Sequence, residues 1–126
     1  MPGGGDPDNR RDFPGGWPGD PRNAFDAAGR TADQQAVWSH VRRLLELRAE
    51  RRDLQTARME HLQAGEQSFV YRRGRTVVAL NNDTAAVTIR LPVSSLPDDA
   101  LGICARPRAE GGAVTIVIPR RSGCVF

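Results

Sequence analysis

The sequence contains no lysine, two cysteines, two isolated histidines and no long apolar run. All 18 basic residues are arginine, which we interpret as a bias of the coding sequence. A membrane-spanning helix needs about 20 consecutive apolar residues, so no contact with a membrane is expected. Cys104 and Cys124 lack a neighbouring pair of histidines, which argues against a zinc site. His40 and His61 have no partner at catalytic or metal-ligand spacing, and we interpret both as ordinary surface or strand residues.

The net charge of +3 does not point to a nucleic-acid partner. The arginines are dispersed among acidic residues, and only residues 42–58 are densely basic, whereas nucleic-acid binders need a clustered patch.

Cys104 and Cys124 lie near apolar residues, so both are interpreted as small buried hydrophobes. The two residues are either free thiols or a disulfide pair.

A chain of 126 residues makes one domain, or a small domain with an appendage. Residues 1–30 hold most of the glycine and proline, which predicts an irregular segment. Phe13, Trp17 and Phe25 lie in this segment and need either burial or a ligand. We therefore expect an ordered loop packed against a neighbour.

An amphipathic helix is predicted from Ala32 to Ala49 or Arg51. Thr31 and Gln34 have the spacing of a capping box, which satisfies backbone N–H groups at the start of a helix. Apolar residues then recur at the spacing of one buried stripe. The stripe comprises Val37, Trp38, Val41, Leu44, Leu45 and Leu47.

After Leu54 the apolar period changes, and short β-branched segments alternate with turn residues. Seven strands are predicted, at residues 57–62, 68–72, 76–81, 86–91, 101–105, 114–119 and 123–126. Strands without intervening helices favour an antiparallel two-sheet β-sandwich. The predicted fold is therefore mostly β: this sandwich, preceded by the irregular loop and one amphipathic helix.

Four stretches together resemble one known family. Residues 6–17, with the sequence DPDNRRDFPGGW, and residues 19–25 resemble the segment after the eighth barrel strand of neopullulanases and cyclomaltodextrinases, in glycoside hydrolase family 13. The helix ending in LLELR at residues 44–48 resembles the last barrel helix of these enzymes. The IPRRSG motif at residues 118–123 is similar to the last-strand motif of their C-terminal sandwich.

The resemblance implies that residues 1–53 are the end of a (β/α)8 catalytic barrel and residues 54–126 its C-terminal β-sandwich. It further implies that Asp6 and Arg10 bind glucose hydroxyls in the substrate cleft, where a carboxylate accepts and a guanidinium donates hydrogen bonds. The alternative is that this pair only braces the loop. Arg11 and Asp12 are interpreted as loop-bracing charges.

Phe13 and Trp17 have two interpretations, as faces for sugar stacking or as plugs that anchor the loop to the barrel wall. The plug is favoured because buried aromatics supply packing that a Gly/Pro-rich loop otherwise lacks. Trp38 is expected to be a core residue of the helix.

The family implies a retaining glycosidase whose two catalytic carboxylates lie on earlier barrel strands. We therefore assign no catalytic residue, no metal ligand and no cofactor to this chain. The parent enzyme has room for a calcium site, whose ligands would lie mostly upstream and are not assigned here. The implied partners are α-glucan oligosaccharides and an N-terminal barrel of the same enzyme. We expect the chain to be part of this larger enzyme and inactive alone, in the periplasm or cytoplasm.

Two other functions stay open. The chain is alternatively a stand-alone carbohydrate-binding sandwich or a purely structural module. Against the first, the strand region offers Phe69, Tyr71 and Phe126 as its aromatics, too few for a convincing flat platform.

Overall fold

The computed structural model describes Gly5 and residues 13–126. Helix α1 spans Ala32–Glu50 and a short helix α2 spans Asp53–Thr56. The strands are β1 (Met59–Ala64), β2 (Ser68–Arg73), β3 (Thr76–Asn81), β4 (Val87–Leu91), β5 (Arg108–Glu110), β6 (Ala113–Ile118) and β7 (Ser122–Val125). None of the helices in this part of the chain is long and apolar enough to cross a membrane.

The strands form two antiparallel sheets, which confirms the predicted β-sandwich. The order is β1-β2-β3-β7 in the four-stranded sheet and β4-β6-β5 in the three-stranded sheet. Alternate residues of each strand face inward, since side chains switch faces at every residue. The shared core contains Val70, Val77, Ala79, Ile89, Leu91, Val114, Ile116, Ile118, Cys124 and Phe126.

Helix α1 begins and ends within the predicted bounds. Its capping box is present: the Thr31 N–H donates to Gln34 Oε1 at 3.0 Å, and the Gln34 N–H donates to Thr31 Oγ1 at 3.3 Å. The chain divides into two compact units, Met1–Arg42 and Arg43–Phe126, with the boundary inside this helix. The assignment of residues 1–53 to a barrel stays a prediction.

The last two turns of α1 lie in the second unit and cover part of the four-stranded sheet. Leu47 is buried there against Val78 and Val125, with Leu54 and Tyr71 beside them. The Arg51 guanidinium donates to the carbonyl of Phe126 at 2.8 Å. Apolar contact and a hydrogen bond thus fix this part of the helix on the sandwich.

The buried Asn81 ties the end of β3 to the other sheet. Its Nδ2 donates to the carbonyls of Ala85 at 2.8 Å, Pro119 at 3.0 Å and Ile118 at 3.3 Å. Buried carbonyls need such partners. One side chain therefore fixes where the chain leaves β3 and where β6 ends.

The predicted strand at residues 101–105 is wrong. This stretch is a loop closed by the side chain of Asp99, whose carboxylate accepts the N–H groups of Leu101, Ile103 and Cys104. Those N–H groups cannot also form a ladder, and Gly102 has a φ of +68°. The structure instead places β5 at Arg108–Glu110, where no strand was predicted.

Cys104 and Cys124 form a disulfide with a Cα–Cα distance of 5.9 Å. It joins the loop after Asp99 to strand β7. Both cysteines were interpreted as buried: Cys124 is buried, whereas Cys104 is only partly buried against the core. The two are also covalently paired, which the sequence had left open.

Candidate functional site

The predicted sugar-binding pair, Asp6 and Arg10, lies outside the described residues, as do Arg11 and Asp12. Their role stays a prediction. The structure describes the continuation of the same loop, residues 13–30, together with the start of α1. This loop shows how the segment is held in shape.

Asn23 is the centre of the loop. Its Oδ1 accepts the N–H of Phe25 at 3.1 Å, and its Nδ2 donates to Asp26 Oδ2 at 2.7 Å. A Cβ added at Gly15, which has a φ of +118°, or at Gly29 would collide with Asn23. Both positions therefore need glycine.

Arg30 locks the loop onto the start of α1. Its guanidinium donates to the carbonyl of Ala24 at 2.8 Å and of Phe25 at 2.5 Å, and to Gln35 Oε1 at 3.1 Å. The guanidinium carbon also lies 4.4 Å from the centroid of the Trp38 ring, in a cation–π contact. Arg30 was not predicted as a functional residue, because an arginine just before a helix cap has no distinguishing pattern.

The aromatic residues of the loop differ in their surroundings. The ring centroids of Phe13 and Phe25 are 4.8 Å apart, so these two rings pack on each other. The Trp17 side chain is 72% exposed, and its backbone N–H donates to Asp20 Oδ2 at 3.1 Å. Trp17 thus presents a ring face to solvent, and its plug or stacking role stays open.

An apolar groove of about 430 Å³ runs between this loop and the first turns of α1. Its lining residues are Phe13, Pro14, Ala24, Arg30, Asp33, Gln34, Val37, Trp38 and Val41. Trp38 was predicted to be a core residue, but it is 40% exposed. The reason is that Trp38 lines the groove, where the guanidinium carbons of Arg30 and Arg42 lie 4.4 Å and 5.3 Å from its ring centroid.

The acidic residues described in this loop accept hydrogen bonds that hold the loop in shape. Asp20 accepts the Trp17 N–H, and Asp26 accepts the amide of Asn23. The loop therefore provides ring faces and a shaped backbone, and we assign no nucleophile or general acid within residues 13–30.

In the second unit, Asp99, Cys104 and Cys124 lie within 4.8 Å of one another, close enough for a metal site. Their ligand atoms are engaged otherwise, because the two sulfurs are bonded to each other and both carboxylate oxygens accept backbone N–H groups. Burial raises the pKa of Asp99, but hydrogen bonds from the N–H groups of Cys104, Val125, Leu101 and Ile103 outweigh it. The net result is a pKa below the ordinary 3.8. We interpret this cluster as structural.

His61, Phe69 and Tyr71 form a row of rings on the outer face of the four-stranded sheet. The centroids of His61 and Phe69 are 5.1 Å apart, and those of Phe69 and Tyr71 5.8 Å. The planes are inclined by 76° and 34°, so the rings do not form one flat surface. Sugar stacking favours flat faces, and this row does not provide them.

No protein-family model matches the sequence. Solved structures with a similar fold include the debranching enzyme from Nostoc punctiforme, at 23% identity and a TM-score of 0.57 over 80% of this chain and 24% of that one. The α-amylase from H. orenii matches at 22% identity and a TM-score of 0.54 over 69% of this chain and 19% of that one.

These structural neighbours are enzymes of glycoside hydrolase family 13. The chain spans about a quarter or less of their length. At this identity the likeness concerns the fold: the helix and sandwich architecture predicted here occurs in amylase-family enzymes.

Proposed function

We propose that this chain is the C-terminal part of an α-glucan-hydrolysing enzyme of the neopullulanase or cyclomaltodextrinase type. Its β-sandwich stabilises the enzyme, and the loop before α1 contributes to the substrate cleft through Asp6 and Arg10. The catalytic carboxylates are supplied by a barrel that precedes this chain.

The exposed apolar side of α1 carries the proposal. Val37 is 64% exposed, and Trp38 and Val41 are also exposed, although their spacing is that of a buried stripe. Such a contiguous apolar surface marks an interaction site in a soluble protein. A preceding barrel would cover it, as the last helix of a (β/α)8 barrel packs on the barrel wall.

The loop supports the second part of the proposal. Asn23 and Arg30 hold its backbone through side-chain hydrogen bonds. Gly15 and Gly29 pack so closely on Asn23 that a Cβ at either position would collide with it. A loop fixed in this way is pre-organised, which is what a ligand-binding loop on a rigid scaffold requires. Phe13, at the start of the described loop, directly follows residues 6–12 in the sequence.

The test uses the full reading frame that contains this chain, assayed for reducing ends released from cyclodextrin. Asp6→Asn and Arg10→Gln should each lower kcat/KM by about 10- to 100-fold, since a hydrogen bond to a charged group contributes about 1.5–3 kcal/mol. Asp8→Asn is the matched control and should leave kcat/KM within about threefold, because it removes an equal charge without that bond. The 126-residue chain alone should release no reducing ends.

Equal losses in the Asp6→Asn and Asp8→Asn enzymes would mean that the loop needs acidic residues only for its shape. Turnover by the 126-residue chain alone would contradict the assignment of catalysis to a preceding barrel.

A further inference from the structure

The outer face of the three-stranded sheet carries polar residues in ordered rows. Arg90 on β4 and Arg108 on β5 are both register partners of Thr115 on β6. The next row pairs Thr88 with Val117. Register partners share a face of the sheet. Arg90 and Arg108 therefore lie on either side of Thr115, on a face whose opposite side is the sandwich core.

The segment before β5 turns this face into a groove of about 590 Å³. Such a volume is within the range of small-ligand sites, about 300–1,000 Å³. The groove combines guanidinium groups, hydroxyl groups and apolar surface. Its lining residues are Thr88, Ala105, Arg106, Pro107, Arg108, Thr115 and Val117.

Among the described residues, the positive charge of this groove is only partly compensated. No ion pair joins Arg90 or Arg108 to another residue in the described part of the chain, and no acid lines the groove. Arg106 pairs with Asp98 at 3.3 Å, but these side chains are 86% and 71% exposed. Exposed pairs of this kind are weak and give way easily.

Within the described strands β4, β5 and β6, the one acid on the same face lies beyond the row of Arg90, Thr115 and Arg108. Glu110 is the partner of Ala113, on the side of Thr115 away from Val117. No ion pair joins Glu110 to Arg108 among the described residues, so the Arg108 guanidinium remains available to an anion.

We propose that this groove binds a small phosphomonoester. The planar guanidinium groups of Arg106 and Arg108 hold the phosphate by charge-assisted hydrogen bonds. Thr88 and Thr115 donate further hydrogen bonds, and the organic part of the ligand packs on Pro107 and Val117. This inference goes beyond the proposed function, because it uses neither the loop before α1 nor a preceding barrel.

The test is an NMR titration of the 15N-labelled chain with inorganic phosphate, glucose 6-phosphate, AMP and unphosphorylated glucose. Glucose 6-phosphate or AMP should shift the amide signals of Thr88, Arg108 and Thr115, and should bind at least about threefold more tightly than inorganic phosphate. Glucose should shift none of them. The two organic phosphates show whether the ligand is a sugar or a nucleoside phosphate.

Arg108→Gln and Arg106→Gln should each weaken binding by about tenfold, which corresponds to about 1.4 kcal/mol. Arg58→Gln is the matched control: it removes the same charge from an exposed position before β1 and should change the affinity less than about twofold. Both groove arginines are exposed, so the variants should keep the dispersed spectrum of the folded chain.

Three results would overturn the proposal. The first is the absence of shifts at Thr88 and Thr115 with about 20 mM of any phosphate, a concentration well above a millimolar Kd. The second is an equal loss of affinity in Arg58→Gln and Arg108→Gln. The third is tighter binding of single-stranded DNA than of either organic phosphate, which would indicate a general polyanion surface.

Discussion

Replacing Asp99 with asparagine tests whether one carboxylate fixes the loop between β4 and β5. Its Oδ1 accepts the N–H groups of Leu101 at 3.1 Å and Val125 at 2.8 Å. Its Oδ2 accepts those of Ile103 at 2.7 Å and Cys104 at 2.9 Å. Asparagine has the same shape but one acceptor oxygen, so two N–H groups lose their partner and the other two lose a charged one.

The expected loss follows from these contacts. A hydrogen bond to a charged group contributes about 1.5–3 kcal/mol, and solvent at this half-buried site reduces the effect. Asp99→Asn should therefore lower the free energy of unfolding by about 2–4 kcal/mol, measured by urea denaturation followed by circular dichroism. Asp98→Asn is the control, since the contact of Asp98 within the described residues is an exposed ion pair, and it should change the free energy by less than about 1 kcal/mol.

The pH dependence of the free energy of unfolding gives a second measurement of the same hydrogen bonds to Asp99. The pKa of Asp99 is lower in the folded chain than its ordinary 3.8. The contribution of its carboxylate to the free energy of unfolding is therefore fully present at pH values above the ordinary pKa. The contribution is lost as the pH falls through the folded-state pKa. The difference in stability between the wild type and Asp99→Asn should thus shrink below about pH 4. Equal effects of Asp98→Asn and Asp99→Asn, or a difference that does not change with pH, would refute the reasoning.

Two further predictions concern the same unit. Cys104 and Cys124 are 20 residues apart. Reduction of their disulfide should lower the free energy of unfolding by about 3 kcal/mol, because the unfolded chain gains conformational entropy. Urea denaturation with and without reductant measures this loss. Two titratable thiols in the chain purified and denatured without reductant would contradict the pairing. Gly74→Ala should destabilise the chain by about 1–2 kcal/mol more than Gly102→Ala in the same assay. Both glycines have positive φ, but only at Gly74 would a Cβ lie 2.5 Å from the Asp53 carboxyl group, so equal losses would show that this contact relaxes without cost.

The sandwich could be predicted because its strands have a clear two-residue period. In β6, Val114, Ile116 and Ile118 are buried and the residues between them are not, and the sequence shows this alternation directly. The start of α1 was equally clear, since the capping box is a local pattern of two side chains. A pattern formed by side chains a few residues apart can be recognised in the sequence without knowledge of the tertiary structure.

The error at residues 101–105 has a different cause. This stretch is apolar enough for a strand, but Asp99 captures its N–H groups and the disulfide then holds the loop against β7. Strand β5 was missed because its three residues are all exposed and have no apolar alternation. A side chain that competes with the backbone ladder has no periodic pattern in the sequence.

The apolar stripe of helix α1 lies in two different environments. Leu47 is buried against the sandwich, whereas Val37 and Val41 line an open groove in the other unit. The sandwich core is closed by its own two sheets, so substitutions there should act through stability. Substitutions at Val37 or Val41 remove little packing within the chain, because both side chains are largely exposed. If the proposed barrel covers this stripe, their effect should appear only in the whole enzyme, and the stripe then specifies assembly rather than the fold of the sandwich.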